Sequence, residues 1–230
     1  MSEASKVIER DRKVIPNLTR APYSLVVERA EGSYIWDRDG KKYLDLASGI
    51  AVAAVGHSHP RVKEAVKSQL EKASHAAFAD FYAEVPVALA ERLCHITGYG
   101  KVFFSNSGTE AVEAAIKLAR FRTKRGKLVA FYGAFHGRTY GSLSLTSSKL
   151  VHKTHLGPFL PEVYHTPYAD CYRCPFGQEY PCDMECVAFM EEVLFRRECN
   201  PEEVAAVGTE PIQGEGGNIL QPPEFHKPVK

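Results

Sequence analysis

The chain has 230 residues, of which 44% are hydrophobic and 25% charged, and its formal net charge is +1. That is enough apolar material for one sizeable core, or for one large and one small lobe. The balanced charge provides no basic surface for nucleic acid, and no apolar run reaches the roughly 18–20 residues that cross a membrane. The polar N-terminus is not followed by a signal-peptide core, so we expect a cytoplasmic protein without nucleic-acid or membrane partners.

The N-terminal part predicts a small β-meander followed by helices. Short strand-like runs occupy residues 25–28, 34–37 and 42–45. Turn residues separate these runs, which favours hairpin connections. Pro60 stands at a favourable first helical position before apolar residues at helical spacing, and a second helix is predicted over about residues 85–96.

From residue 101 onward, short apolar strands alternate with helices. Strands are predicted over residues 101–104, 127–131 and 204–207, and a helix begins near Thr109. Such alternation is typical of a parallel sheet with helices on both faces. Because ligands gather at the carboxyl ends of the strands in such sheets, the pattern predicts an α/β protein with its site at that edge.

The segment Ser105–Ala111 predicts a phosphate cradle, formed by Ser107, Gly108 and Thr109, at the start of the Thr109 helix. Free backbone N–H groups and the helix dipole favour an anion there by about 0.3–1 kcal/mol. Gly108 allows the backbone to approach a ligand closely, and the two hydroxyls add donors. The alternative is an ordinary helix N-cap without a ligand.

The segment that follows the 127–131 strand, which we call the aromatic loop (residues 132–138), carries Phe135, His136 and Arg138 among glycines. An aromatic face, a fixed cation and a phosphate cradle are what a flat, anionic, heteroaromatic cofactor requires. Taken singly, these residues have ordinary interpretations: a core phenylalanine, a histidine bonded to backbone, and a surface arginine.

Several blocks of the chain resemble class III (omega-type) aminotransferases that depend on pyridoxal 5′-phosphate (PLP), and they occur in the family's order. These blocks are residues 45–52, 56–60, 107–111, 135–139 and 210–217. The 4-aminobutyrate and acetylornithine/ornithine types are the most similar. The resemblance implies a fold-type I PLP-transferase, α/β with a mainly parallel sheet flanked by helices. It also implies a small-domain segment over residues 1–60 and an incomplete PLP-binding domain over residues 61–230.

The resemblance also implies the roles of individual residues. The cofactor-binding residues would be Ser107, Gly108, Thr109, Phe135, His136 and Glu210. Phe135 would lie against the pyridine ring. The substrate-binding residues would be Arg138, which holds the α-carboxylate, Glu215, which pairs a second arginine from the later half of the enzyme, and Ile50 at the substrate entrance. The simpler interpretation of Glu210 and Glu215 is a pair of solvated carboxylates in a Pro/Gly-rich turn.

No catalytic residue is assigned within this chain. In relatives, the Schiff-base lysine and the carboxylate that keeps the ring nitrogen protonated follow the block equivalent to residues 210–217. None of the lysines here stands in that context. We therefore expect a transaminase that moves an amino group from an amino acid (4-aminobutyrate, ornithine or similar) to a 2-oxo acid, homodimeric at full length, with residues 1–230 inactive alone. An amino-acid racemase of the same family, or a non-catalytic truncated homologue that binds a partner, remain alternatives.

A cysteine loop (residues 171–186) forms a second unusual feature. Cys171 and Cys174 are separated by two residues, and Cys182 and Cys186 by three. Four thiols this close are compatible with a structural zinc ion, with one or two disulfides, or with free buried thiols. The family chemistry does not need such a cluster, so it is interpreted as a local staple.

Overall fold

The computed structural model describes residues 2–16 and 23–225. The chain divides into two compact units, residues 1–91 and 92–230, each of which is described by itself. None of the helices in the described segments has the length and apolarity needed to cross a bilayer. The predicted domain boundary near residue 60 stays a prediction.

The first unit contains a helix, an antiparallel meander and two further helices. Its elements are α1 (Glu3–Val14), β1 (Val27–Glu31), β2 (Tyr34–Asp37), β3 (Lys42–Leu44), a short turn α2 (Ser48–Ala51), α3 (Pro60–Lys72) and α4 (Glu84–Thr97), whose residues after Glu91 belong to the second unit. The three strands pair in the order β1-β2-β3. The hairpin between β2 and β3 closes on Asp37, whose carboxylate accepts hydrogen bonds from the Lys41 N–H and the Tyr43 hydroxyl. The predicted meander and both predicted helices are confirmed.

The second unit is a parallel sheet with helices packed on it. Its elements are α5 (Gly108–Thr123), β4 (Lys127–Phe131), α6 (Tyr140–Leu145), β5 (Val163–Thr166), α7 (Glu185–Phe189) continuing as a π-helix (Met190–Phe195), β6 (Val204–Gly208), β7 (Ile212–Gln213) and β8 (Ile219–Leu220). The order is β5-β4-β6, with both pairings parallel. β7 and β8 form a separate antiparallel pair.

β4 is the central strand, and its side chains alternate between the two faces of the sheet. Leu128 and Ala130 pack with Ile116 of α5 and Leu145 of α6. Val129 packs on the other side with residues of the π-helix. This alternation places helices on both faces, as the sequence predicts.

The predicted strand over residues 101–104 is wrong. The segment has no regular secondary structure. A strand exists only where its backbone pairs with a neighbour, and the described sheet consists of β5, β4 and β6 alone. The Phe103 side chain is consequently 73% exposed.

Candidate functional site

The phosphate cradle lies at the N-terminus of α5. Ser107 is the N-cap, and its hydroxyl accepts a hydrogen bond from the Glu110 N–H at 3.4 Å. The Glu110 carboxylate reaches back to the Asn106 N–H at 2.6 Å, and this bonding with Asn106 lowers the pKa of Glu110. Within the described segments, the N–H groups of Gly108 and Thr109 donate to no protein acceptor. Space around Gly108 is open. Two free donors at the positive end of a helix fit a phosphate.

The Thr109 hydroxyl bonds to other protein side chains, whereas the sequence predicts that it donates to the phosphate. It lies 2.7 Å from the Thr139 hydroxyl and 2.5 Å from the Ser142 hydroxyl. Glu113 completes this network, because its carboxylate accepts from the Thr139 hydroxyl at 2.5 Å and from the Ser142 N–H at 3.0 Å. A side chain at Gly137 would clash with Thr109. The Thr109 side chain therefore ties α5 to the end of the aromatic loop, and its backbone N–H is what remains for an anion.

The aromatic loop follows β4 directly. The Phe135 N–H donates to the Glu210 carboxylate at 3.1 Å, and the Phe135 ring packs edge-on against His152 with centroids 5.4 Å apart. The His136 backbone N–H donates to the Thr146 hydroxyl. Its ring Nε2 is buried and has no partner in the described part of the chain. Burial lowers the pKa of His136, against an opposing effect of Glu210, so the ring is a neutral, unpaired group that a ligand could engage.

Arg138 and Glu215 differ in how they are held. Arg138 is exposed, and no ion pair or hydrogen bond engages its guanidinium within residues 2–16 and 23–225. Glu215 pairs with Lys149, whose Nζ lies 2.9 Å from Oε2, and His152 lies 3.7 Å from the same oxygen. The bond with Lys149 lowers the pKa of Glu215. Glu215 is thus already neutralised by a cation of this chain, while Arg138 is available.

The segment that follows β6, which we call the acidic turn (residues 210–217), is held from two sides. The Glu210 carboxylate accepts from the Gly214 N–H at 3.3 Å as well as from Phe135. The Tyr168 hydroxyl donates to the Glu210 carbonyl at 2.9 Å and contacts the side chain of Gln221. Burial, together with the Glu210 charge, raises the pKa of Tyr168 to about 12. Tyr168 therefore remains a protonated donor over the physiological range.

These contacts bring most of the predicted site residues together. The cradle, the aromatic loop and the acidic turn meet beyond the carboxyl ends of β4 and β6, the edge at which parallel sheets bind ligands. Ile50 belongs to the first unit, where it is 93% exposed. It lies in a left-handed turn in which Ser48, Gly49, Ile50 and Ala51 all have positive φ.

The cysteine loop contains free thiols. Side chains that line one small cavity beneath Tyr168 include those of Cys171, Cys174, Cys182 and Cys186, and no cysteine forms a disulfide. In the described segments, no three His, Cys, Asp or Glu side chains are arranged to hold a metal ion. Of the three alternatives for this loop, zinc and disulfides therefore have no support in the described segments. Burial raises the pKa of Cys186 to about 11, which keeps that thiol protonated and unreactive.

The sequence interpretation missed several residues that organise the site. They are Glu113, Lys149, Tyr168 and Gln213. Two of them have a signal in the sequence: Glu113 stands one helical turn after Thr109 and so shares its face, and Gln213 lies in the block 210–217. The others act through contacts between segments that are distant in sequence.

Comparison with known proteins identifies the family of this chain. The family profile for Aminotransferase class-III matches residues 16–230. The chain belongs to the class-III aminotransferase family. Its α/β fold is that of the fold-type I PLP-dependent aminotransferases, and the resemblance inferred from the sequence blocks is confirmed.

Individual relatives of this class-III chain carry more than one activity. A "Probable 4-aminobutyrate aminotransferase" of Bacillus subtilis (strain 168) is 42% identical over 222 residues, covering 94% of this chain and 50% of that protein. A "Leucine/methionine racemase" of Thermococcus litoralis is 37% identical over 229 residues, covering 98% of this chain and 51% of that protein.

One similar protein has been solved with bound ligands. Taurine:2-oxoglutarate aminotransferase from Bifidobacterium kashiwanohense, in complex with PLP and glutamate, is 28% identical with a TM-score of 0.85 and covers 100% of this chain and 54% of that one. The present chain spans about half the length of the relatives that it matches.

Proposed function

We propose that this chain forms the phosphate-binding and carboxylate-binding part of a PLP-dependent transaminase. The reaction moves an amino group from an amino acid, such as 4-aminobutyrate or ornithine, to a 2-oxo acid. The observation that carries the proposal is the pair of free N–H groups at Gly108 and Thr109 beside the aromatic loop. Small-molecule amino acids and 2-oxo acids are the proposed partners, in a cytoplasmic homodimer.

The cradle would bind the phosphate mainly through backbone N–H groups, because not all of its hydroxyl groups are free. The N–H groups of Gly108 and Thr109 point from the helix N-terminus, and the Ser107 hydroxyl is bonded only weakly, at 3.4 Å. The Thr109 hydroxyl is already engaged by Thr139 and Ser142. Phosphate binding would therefore depend on the helix end and on the glycine that leaves space for the ligand.

The aromatic loop would supply the wall for the pyridine ring. When bound, PLP supplies an electron sink for the bond changes at the substrate Cα. Phe135 would cover one face of the ring, and neutral His136 would direct its unpaired Nε2 to a polar group of the ligand. Glu210 would act at the same site by fixing the Phe135 backbone.

Arg138 would bind the substrate carboxylate. Its guanidinium is exposed and carries no competing ion pair in the described segments, and a planar guanidinium binds a carboxylate with two parallel hydrogen bonds. Glu215 would pair a second arginine from the remainder of the enzyme, which would replace Lys149 at that carboxylate. Ile50 would line the substrate entrance.

Racemisation is the second candidate, because a leucine/methionine racemase is among the relatives. The same site would then return the proton to the opposite face of Cα. A full-length protein that contains this chain distinguishes the two. Transamination requires a 2-oxo acid acceptor and yields a new keto acid, whereas racemisation of an optically pure amino acid proceeds without an acceptor.

The direct test uses residues 1–230 with PLP, and with pyridoxal as the control that lacks the phosphate. We expect weak, reversible binding of PLP, little binding of pyridoxal, and no keto-acid product from an amino acid and 2-oxoglutarate. Equal binding of both ligands would contradict the cradle. A covalent absorbance band that survives dialysis and is discharged by an amino donor would show that a lysine of this chain performs the catalytic role.

A further inference from the structure

We infer that the side-chain amide of Gln213 fixes the aromatic loop against the acidic turn, and that Gln213 is a positioning residue for Phe135 and Arg138. The expected effect of Gln213 on PLP binding rests on the proposed function. The contacts of Gln213 are observed within this chain and do not depend on it.

Gln213 is a buried polar side chain with a specific partner. It is 1% exposed, and its Nε2 donates to the Tyr132 carbonyl at 2.9 Å. A buried amide without hydrogen bonds is unfavourable, because it has lost its bonds to water without replacement. The bond therefore holds the amide in one orientation, and it joins the first residue of the aromatic loop to the acidic turn.

Two glycines, one from each segment, leave room for this amide. A Cβ at Gly133 would lie 2.5 Å from the Gln213 Oε1, and a Cβ at Gly216 would clash with the same oxygen. Gly133 also has φ +83°, a conformation that favours glycine. The aromatic loop and the acidic turn thus approach the Gln213 amide from different parts of the chain so closely that a side chain at either glycine would displace the amide.

The Glu210 carboxylate provides the second link between the same two segments. It accepts from the Phe135 N–H at 3.1 Å and from the Gly214 N–H at 3.3 Å. Gln213 holds the loop at Tyr132, and Glu210 holds it at Phe135. The backbone between these two points is therefore fixed at both ends by residues of one turn.

The position of the Arg138 guanidinium is set by the backbone of the aromatic loop. That guanidinium has no protein partner in the described segments, so the direction in which it leaves the loop sets where the charge lies. Loss of the Gln213 bond removes the tie to the acidic turn at Tyr132 and leaves the bond from the Tyr132 N–H to the Thr166 carbonyl. We expect the loosened loop to let the Phe135 ring and the Arg138 charge sample a wider range of positions. The cradle at α5 does not contact Gln213 in any described hydrogen bond, and we expect it to be unaffected.

The first experiment measures amide hydrogen exchange in residues 1–230. Gln213→Met keeps the length of the side chain but removes the amide, and Gly216→Ala displaces the amide at a glycine that lacks positive φ. We expect exchange in residues 132–138 to accelerate about tenfold in both variants while β4 stays protected. The first matched control is Gln69→Met, which removes an exposed hydrogen bond from the side-chain amide to the Ala73 carbonyl. The second is Gly214→Ala, whose Cβ would lie at an ordinary contact distance of 3.9 Å from the Glu210 carboxylate.

Unchanged exchange in residues 132–138 in both variants, with β4 protected, would overturn the inference. If Gln213→Met fails to fold, Gly216→Ala decides the result alone, because the three atoms nearest to a Cβ at Gly216 all belong to the Gln213 side chain.

The second experiment separates positioning from general structure. For Gln213→Met we expect the affinity for PLP to fall about tenfold while the affinity for inorganic phosphate stays the same, since the cradle is intact. Equal losses for both ligands would assign Gln213 a general structural role and contradict the inference. Failure of the unmodified chain to bind PLP would instead contradict the proposed function, and the exchange result would still decide the role of Gln213.

Discussion

At the scale of single residues, Arg138 carries an exposed charge at the end of the aromatic loop, next to Thr139, whose N–H donates to the Thr109 hydroxyl of the proposed phosphate cradle. In a protein that carries this chain together with the family's lysine-bearing half, Arg138→Lys should weaken amino-acid binding by about 1.5–3 kcal/mol, because a two-point, charge-assisted contact becomes a single one. Absorbance titration with amino acid and keto acid measures this effect, and the PLP spectrum should stay intact. Arg122→Lys, in the last turn of α5, is the matched control. Unchanged affinity for both substrates would contradict the proposal that Arg138 binds the substrate carboxylate.

His136 makes the stability of the chain depend on pH. Burial lowers the pKa of His136, and burial also lowers that of His165 with a contribution from Lys153. The unfolded chain then binds protons that the folded chain does not, from about pH 6.5 downward. The free energy of unfolding should therefore fall as the pH drops below about 6.5, and it should not change for this reason above it.

Denaturant titrations at a series of pH values measure this dependence. His136→Gln should flatten part of the fall, and His165 should account for a further part. His95→Gln, at an exposed position of α4, should leave the slope as it is. A slope that is identical in His136→Gln and the unmodified chain would mean that the ring is not held neutral.

At the scale of elements, local patterns predict the strands and helices but not every pairing. β4 could be predicted because its apolar run lies between turn signals, and α5 because its apolar residues recur at helical spacing. Residues 101–104 have the same local signal but no neighbouring strand to pair with in the described sheet. Local composition therefore predicts what can become a strand, while the presence of a partner decides whether it does.

The residues of the candidate site could also be predicted only where a local sequence pattern contains them. Ser107, Phe135 and Arg138 stand in sequence blocks that carry a chemical meaning by themselves. Gln213 and Tyr168 matter through partners that are distant in sequence, Tyr132 and Glu210 respectively. No local pattern contains that information.

The cysteine loop is expected to act as a structural element. Replacing Cys171 and Cys174 with Ser puts hydroxyls into a cavity lined by thiols and apolar groups, where an unpaired hydroxyl is unfavourable by about 1–3 kcal/mol. Thermal unfolding should occur several degrees lower, by about 2–4 °C per kcal/mol for a chain of this size. PLP binding should be retained. Cys94→Ser, outside the loop, is the control.

The chemical state of the same loop has its own measurement. Thiol titration of the denatured, unreduced protein should find the loop cysteines free, and metal analysis should find no stoichiometric zinc. A bound metal that is released together with the four thiols would contradict the free-thiol state.

At the scale of the whole molecule, the first unit exposes an apolar surface that a second copy could cover. Exposed side chains in this unit include Ile50, Val52, Val55, Val62, Val66 and Leu70, and α3 has no buried residue. We expect the full-length protein to be at least a dimer, because stable interfaces bury about 1,200–2,000 Å² and apolar helix faces supply such area. Light scattering measures this. Val66→Glu should weaken the dimer, and Lys67→Glu serves as a control. An active monomer at micromolar concentration would contradict it.

The position of β4 also determines when the site is completed during folding. β4 pairs with strands that are both synthesised after it, and Lys127 meets its β6 partner only at Val204. Closing such long loops is entropically unfavourable and slow, whereas α5 is stabilised by contacts close in sequence. We therefore expect the acidic turn to reach the aromatic loop only after β6 has docked, so that this wall of the proposed cofactor site forms later than the helix that carries the cradle. Pulse-labelled hydrogen exchange during refolding should show protection of α5 before that of residues 210–216, and simultaneous protection would contradict this order.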